Sequence, residues 1–258
     1  MVLIGLAIIA YVLASLTLWQ KRPRTAPNAL TVALIGVAIG SHAIGLQQQV
    51  WQSGLVDLGL FNVLSLLGLM LATLVLLNRV QHGQVPLGAW LLPISALTAL
   101  LGWAISGEYS ARTFTFALAT HIGLALLAYA MFAITLAYAL FIKYQNRALK
   151  SHNLSALNQH MPPLLSMEQT LFRLGWIAFA LLTLAILVGY VSFENIFGQR
   201  IGHKIAFTSA AWLMFAGIFI GHLIWGWRAA VTFRWLFAGF VMLSIGFFAP
   251  RFLFEFIL

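Results

Sequence analysis

Four histidines lie within long apolar stretches of the sequence, and they are the residues best able to do chemistry: His42, His121, His203 and His222. An ionisable side chain inside a membrane span costs roughly 2.5–3.5 kcal/mol on insertion scales, so each needs a structural or functional reason. A neutral imidazole can bind a metal through one ring nitrogen. The apolar stretches carry no deep Asp or Glu, which argues against a carboxylate-based proton pump or a sodium-coupled transporter.

Depth along the predicted helices sorts these histidines. His121 falls about 10 Å inside the fifth predicted helix at 1.5 Å per residue. His203 opens the seventh predicted helix and His222 follows 19 residues later, roughly 28 Å away, so these two cannot hold one metal ion. His42, His121 and His203 share an outer layer and could converge. Each of the four could equally be a packed, hydrogen-bonded histidine.

A bis-histidine haem b is the cofactor that suits this outer layer, because imidazoles ligate the iron and an apolar pocket covers the macrocycle. Ala117, Ala125 and Ala128 share the helical face of His121, and Gly123 is close by. Such small residues leave room for a flat ligand, or for the close approach of another helix. The haem propionates would need cations, and those at the same end are Arg112, Arg200, Lys204 and Arg251. These could also be ordinary interfacial residues.

The composition indicates what positions these residues. Of the 258 residues, 62% are hydrophobic and only 7% are charged, against roughly a quarter charged in soluble domains, so lipid must cover most of the surface. The absence of cysteine excludes disulfide, iron–sulfur and zinc-thiolate chemistry. The net charge of +9 is spread over short connections, which argues against a nucleic-acid partner.

The sequence predicts an all-α, polytopic membrane helix bundle. A span needs about 20 apolar residues, and the chain offers about eight in a single integral membrane domain over 1–258. The predicted spans are 2–20, 29–47, 55–79, 87–105, 114–143, 170–192, 203–226 and 232–256. The longest connection, Tyr144 to Gln169, is interpreted as a polar linker.

Lysine and arginine predict the orientation. Ten of the 14 fall in the odd-numbered connections, which the positive-inside rule assigns to the cytoplasm. Both termini would then be extracytoplasmic. The first segment has no positive charge before it, whereas Lys21, Arg22 and Arg24 follow it. This favours a first helix that stays in the membrane over a cleaved signal peptide.

Two segments carry a resemblance to a known family. One runs from His121 through Tyr129 to Tyr138, and the other from Trp212 through His222 to Gly226-Trp227-Arg228. Both resemble the histidine segments of the cytochrome c assembly family, the CcsA- and CcmC-like membrane proteins that handle haem, and the layout is most similar to the HemX/YpjD-type branch. The resemblance implies a bacterial inner-membrane protein in which His121 matches an external haem ligand. His222 would match an intramembrane histidine near the cytoplasmic side.

The chain departs from that family at two places. The family's tryptophan-rich loop is replaced by Phe193 to Lys204, which contains no tryptophan, and the second external histidine expected near the C-terminus is missing. Attachment of haem to a cytochrome is therefore not expected. We hypothesise that His203 or His42 supplies the second iron ligand.

Three functions follow as hypotheses. The first is a haem-binding protein that transfers, stores or senses haem on the extracytoplasmic side. The second is a non-catalytic scaffold or regulator of a membrane or cytoplasmic partner, such as an enzyme of tetrapyrrole synthesis, contacted through 144–169. The third is a permease, which the lack of deep carboxylates and of an inverted repeat argues against. No residue is assigned a catalytic role, although a redox enzyme stays open because a bound haem could carry electrons.

Overall fold

The structure is a computed structural model of the chain. It describes residues 2–20, 29–52, 55–82, 87–105, 115–151, 163–192 and 202–256. Within these ranges the side chains of some residues near helix ends are not described, among them those of His203 and Arg251.

The described residues contain eight helices that are long and apolar enough to cross a membrane, which confirms the predicted all-α membrane bundle. Predicted and observed bounds agree within three residues except at the start of α3, the end of α5 and the start of α6. The helices are α1 Val2–Gln20, α2 Ala29–Val50, α3 Leu60–His82, α4 Leu87–Ala104, α5 Phe116–Lys150, α6 Leu164–Ser192, α7 Gly202–Trp225 and α8 Ala229–Phe256.

A short hairpin connects α2 to α3 and explains why α3 begins later than predicted. Strands β1 (Trp51–Gln52) and β2 (Leu55–Val56) pair antiparallel. Asp57 then accepts hydrogen bonds from the backbone N–H of Gly59 (2.9 Å) and from Asn62 Nδ2 (3.0 Å). The bond to Gly59 closes an Asx turn, in which an Asp side chain accepts from the backbone two residues on, and the bond to Asn62 connects this turn to the first turn of α3. Residues 55–56, predicted to open the span, are therefore extended.

The connection predicted as a polar linker over 144–169 is helical at both ends. The 35 residues of α5 extend about 52 Å at 1.5 Å per residue, which exceeds the roughly 30 Å hydrocarbon core. The helix α6 begins at Leu164, directly after Pro163, whose carbonyl accepts hydrogen bonds from residues one turn later. Proline suits this position because it donates no backbone hydrogen bond. Residues 152–162, with His152 and His160, lie outside the described residues.

Backbone packing divides the chain into two compact units, the first containing α1–α4 and the second α5–α8. Within each unit, consecutive helices pack side by side and the first helix also packs against the fourth. This is the up-and-down four-helix arrangement that short connections favour. The prediction of one integral membrane domain stays a prediction.

Stacked aromatic rings and glycines set the packing in the second unit. Phe132 of α5 and Phe215 of α7 stack with centroids 3.8 Å apart and an interplanar angle of 15°. A Cβ added to Gly239 of α8 would lie 2.7 Å from Phe215 Cε1, and one added to Gly175 of α6 would lie 3.1 Å from Phe219 Cζ. Glycine therefore allows α6 and α8 to approach the aromatic face of α7, as small residues do in membranes.

Candidate functional site

His121 lies near the start of α5 and contacts α6. Its Nδ1–H donates a hydrogen bond to the carbonyl of Ala185 at 2.7 Å. This bond fixes the tautomer in which Nε2 carries the lone pair, which is the arrangement that metal-ligating histidines usually have. A Cβ added to Gly189 would lie 2.7 Å from both Cε1 and Nδ1 of His121. The imidazole can therefore occupy this position only because residue 189, one turn after Ala185, is glycine.

The first turn of α7 lies at the same end of the second unit as His121. Lys204 interacts electrostatically with His121, and its Nζ is 5.9 Å from the ring centroid of Phe247 on α8. His203 precedes Lys204 in the same turn, but its side chain is outside the described residues. The structure thus brings Lys204 to the predicted His121 site and leaves ligation by His203 a prediction.

His222 lies in the last turn of α7 and interacts with the joint that leads to α8. Its Nδ1–H donates to the carbonyl of Trp227 at 2.9 Å, which again leaves the lone pair on Nε2. One face of the imidazole stacks on Phe172 of α6, with centroids 3.5 Å apart and an interplanar angle of 16°. The ring is therefore held by a hydrogen bond at its edge and by an aromatic ring on its face.

The joint between α7 and α8 requires two glycines. Gly226 ends α7 with φ +64°, a left-handed conformation that glycine adopts without steric cost, and its N–H donates to the carbonyl of His222 at 3.1 Å. The indole of Trp227 then folds back onto Gly221, where a Cβ would lie 2.5 Å from Trp227 Cδ2. The sequence Gly226-Trp227-Arg228 therefore positions the acceptor for His222.

An open groove of about 460 Å³ adjoins His222. This volume lies within the range of roughly 300–1,000 Å³ that is typical of small-molecule sites. Its lining combines aromatic and aliphatic side chains with His222, one carboxylate and one guanidinium, and it includes Leu165, Glu168, Phe172, Trp176, Leu223, Trp227 and Arg228. The groove thus offers apolar walls, an imidazole and a cation together.

Glu168 helps to fix the position of α8 at this groove. Its Oε1 accepts a hydrogen bond from the backbone N–H of Ala229 at 2.7 Å. Ala229 is the first residue of α8, where unpaired N–H groups and the helix dipole favour a carboxylate. Glu168 therefore connects the start of α6 to the start of α8. Arg228 is the positively charged side chain that lines the same groove.

His121 and His222 belong to opposite ends of the second unit. His121 bonds to Ala185 and His222 stacks on Phe172, and these two residues of α6 are 13 positions apart. At 1.5 Å per residue the separation along α6 is about 20 Å. One iron ion therefore cannot be ligated by both histidines.

His42 is fully buried in the first unit and interacts differently. Its Nδ1 lies 3.2 Å from the hydroxyl of Tyr11, and its Nε2 lies 2.9 Å from the hydroxyl of Ser65. Both ring nitrogens are thus hydrogen-bonded. Iron ligation by His42 would require one of these bonds to break, and it stays a prediction.

Several predicted site residues cannot be placed. Arg112 and Arg200 lie outside the described residues, as does the side chain of Arg251. Among the residues that are described, no three His, Asp or Glu side chains are grouped so that they could hold a metal ion. A bare metal centre built by several such ligands is therefore not found in the described part of the chain.

Sequence reasoning missed the residues that hold the two imidazoles. The acceptor of His121 is a backbone carbonyl on another helix, and Gly189 has no distinguishing pattern in the sequence. The acceptor of His222 is likewise a backbone carbonyl, that of Trp227. The Gly226-Trp227-Arg228 resemblance was the one feature that could have identified it.

The described helices define a polytopic helical membrane protein, and sequence comparison assigns it to a family. The chain belongs to the cytochrome c assembly protein family, which matches residues 52–258; the predicted family is thereby confirmed. Three relatives named "Inner membrane protein YpjD", from Escherichia coli strains K12, O6:H1 (CFT073) and O157:H7, are each 32% identical over 222 residues. The alignment covers 83% of this chain and 82% of each relative. No solved structure matches the chain significantly.

Proposed function

We propose that this protein binds haem b in the membrane and transfers, stores or senses it. The observation that carries the proposal is the environment of His222. Its Nδ1–H bond to Trp227 directs the lone pair to Nε2, and its ring lines an aromatic groove of about 460 Å³ that also contains Arg228. Haem requires a basic imidazole nitrogen, apolar covering for the macrocycle and a cation for its propionates. The donor set therefore fits the cofactor.

His121 supports a second haem position in the same unit. It has the same hydrogen bond from Nδ1–H to a carbonyl, and Lys204 lies near it as a cation for a propionate. Because the two imidazoles are about 20 Å apart along α6, the proposal is one haem at each end. On the orientation that the lysine and arginine distribution predicts, His121 would be extracytoplasmic and His222 near the cytoplasm. Two positions on opposite sides favour transfer over storage.

In this proposal the protein contributes positioning, and bound haem would supply iron for ligand exchange or electron transfer. The carbonyl of Trp227 orients the His222 imidazole and raises its basicity, as outer partners of metal ligands do. The carbonyl of Ala185 does the same for His121. Phe172 and Trp176 would exclude water from the macrocycle. Arg228 would hold a propionate at the rim of the groove.

The test is the visible spectrum of the purified protein, with the haem type and amount read from the pyridine haemochrome. We expect His222→Ala and His121→Ala each to lose about half of the Soret absorbance, and the double variant to lose it entirely, because each imidazole ligates one haem in the proposal. His152→Ala, in the connection between predicted spans, is the matched control and should keep the full amount. A wild-type protein that takes up no haem even after reconstitution with haemin, or a double variant that retains it, would contradict the proposal.

A further inference from the structure

A second groove lies between the C-terminal part of α5 and the start of α8. It has a volume of about 240 Å³, below the range of roughly 300–1,000 Å³ that drug-sized ligands occupy. Four cations from two helices line it together with one amide and three apolar side chains: Lys143, Arg147, Lys150, Arg234, Asn146, Ile142, Ala229 and Phe233. The groove is therefore small, strongly positive and partly apolar.

The spacing of these cations is unfavourable for the helix that carries them. Lys143, Arg147 and Lys150 are at positions i, i+4 and i+7 of α5, which places them on one helical face. Like charges at i and i+4 repel and destabilise a helix. Glu168, the one carboxylate described in the second unit, accepts from Ala229 N–H and is not among the lining residues. The groove thus lacks a described carboxylate to balance its charge.

One of the cations is held in place at the groove wall. The Nζ of Lys143 lies 4.0 Å from the ring centroid of Phe233 on α8, a cation–π distance that fixes an ammonium group near the ring face. Arg147 and Arg234 are exposed at the rim, where their guanidinium groups can form paired hydrogen bonds to phosphate oxygens. The positive-inside rule explains why these cations lie at one end of their helices. It does not explain why cations of two separate helices line one groove.

We propose that this groove binds a phosphate group, carried either by an anionic phospholipid headgroup or by a soluble phosphate ester. The phosphate would contact Arg147, Arg234 and Lys143, and the apolar part formed by Ile142 and Phe233 would contact the attached glycerol or acyl chain. Basic pockets between membrane helices bind anionic headgroups in this way. The site is separate from both histidine sites and does not rest on haem binding.

The experiment is native mass spectrometry of the full chain in detergent, titrated with dioleoylphosphatidylglycerol, dioleoylphosphatidylcholine or sn-glycerol 3-phosphate. We expect retained phosphatidylglycerol adducts that Arg147→Gln and Arg234→Gln each weaken about fivefold, since one cation near a membrane surface contributes about that factor. Arg147→Lys keeps the charge and should lose less. Arg173→Gln removes one exposed positive charge from α6 and should change binding little.

The probes distinguish the two sources. Phosphatidylglycerol binding that depends on Arg147 and is much stronger than phosphatidylcholine binding supports a lipid headgroup. Binding of sn-glycerol 3-phosphate with the same dependence, in the absence of lipid adducts, supports a soluble ester. Equal losses in Arg147→Gln and Arg173→Gln, or no adduct with any probe, would overturn the proposal. The melting temperature of each Gln variant should not fall, because each of these substitutions removes a positive charge without opening a cavity, and this excludes misfolding as the cause.

Discussion

At the level of single residues, His121 and His222 differ from His42 in the type of group that is hydrogen-bonded to Nδ1. His121 and His222 each donate to a backbone carbonyl, an acceptor that cannot rotate or donate, so one tautomer is fixed. His42 instead meets two hydroxyl groups, and a hydroxyl can rotate to donate or accept. The tautomer of His42 is therefore not set by its neighbours. A fixed tautomer favours iron ligation by His121 and His222 over ligation by His42.

Gly189→Ala tests whether the position of the His121 imidazole requires a residue without a side chain at position 189. The added Cβ would lie 2.7 Å from two atoms of the imidazole, so the ring must move away from Ala185. We expect a loss of about 1–3 kcal/mol in the free energy of unfolding, as for other overpacked interiors, and loss of the His121-dependent part of the Soret band. Thermal unfolding and the haem spectrum measure the two effects.

The control for this prediction is Gly36→Ala on α2. A Cβ added there would have no neighbour within 4 Å, and replacing a helical glycine by alanine normally stabilises by about 0.5–1 kcal/mol. Stability should therefore rise or stay level, with haem unchanged. Equal behaviour of the two variants would show that the close contact at Gly189 does not hold the ring.

Tyr11→Phe tests the buried hydrogen bonds of the first unit. The change removes the hydroxyl partner of His42 Nδ1 and keeps the ring, so we expect a loss of about 1 kcal/mol in unfolding free energy, the size typical of polar contacts between membrane helices. Tyr190→Phe, at a tyrosine that is 72% exposed on α6, is the control. A structural His42 predicts an unaltered Soret band in Tyr11→Phe. A shifted or reduced band would instead indicate that His42 is an iron ligand.

At the level of elements, α7 and α8 are joined by Gly226-Trp227-Arg228, and this short segment folds back onto the last turns of α7. Trp227 contributes its carbonyl to His222 and its indole to Gly221, while Gly226 supplies the left-handed turn between them. Glu168 then holds the first N–H of α8. These features together fix the position of the His222 imidazole, so a small backbone change at this joint should displace the imidazole and alter the groove.

Gly221→Ala tests this coupling. The new Cβ would lie 2.5 Å from Trp227 Cδ2, and the displaced indole should move the carbonyl that holds His222. We expect a loss of about 1–3 kcal/mol in stability, together with loss of the His222-dependent haem. Gly217→Ala, one turn earlier on the same helix and with open space around the added Cβ, should keep both. The coupling is refuted if haem content is the same in the two variants.

The helices could be predicted from the sequence because length and apolar character decide membrane spans. Their ends were less predictable where local chemistry decides. The Asx turn at Asp57 delays the start of α3, and Pro163 allows α6 to begin six residues before the predicted span. Candidate histidines could be identified because an ionisable residue in a span is rare. Their partners Ala185 and Trp227 could not, because a single sequence does not say which carbonyl a side chain will meet.

At the level of the whole molecule, orientation in the membrane decides which histidine meets which compartment. An even number of spans, as the sequence predicts, would place both termini on the same side, and the lysine and arginine distribution predicts that this side is extracytoplasmic. The chain contains no cysteine, so a single introduced cysteine reports its own position without background. Thr115 and Ser151 flank α5 at its two ends, and both are exposed. They are therefore suited to a labelling experiment.

Thr115→Cys should react with a membrane-impermeant maleimide added to intact spheroplasts, because the His121 end of α5 is predicted to be outside. Ser151→Cys should react only after the membrane is opened, because Arg147 and Lys150 in the preceding turn are retained on the cytoplasmic side by the positive-inside rule. A denatured sample of each variant gives the full extent of labelling. The reversed pattern would place His222 outside and His121 inside, and would reverse the direction of any haem transfer between them.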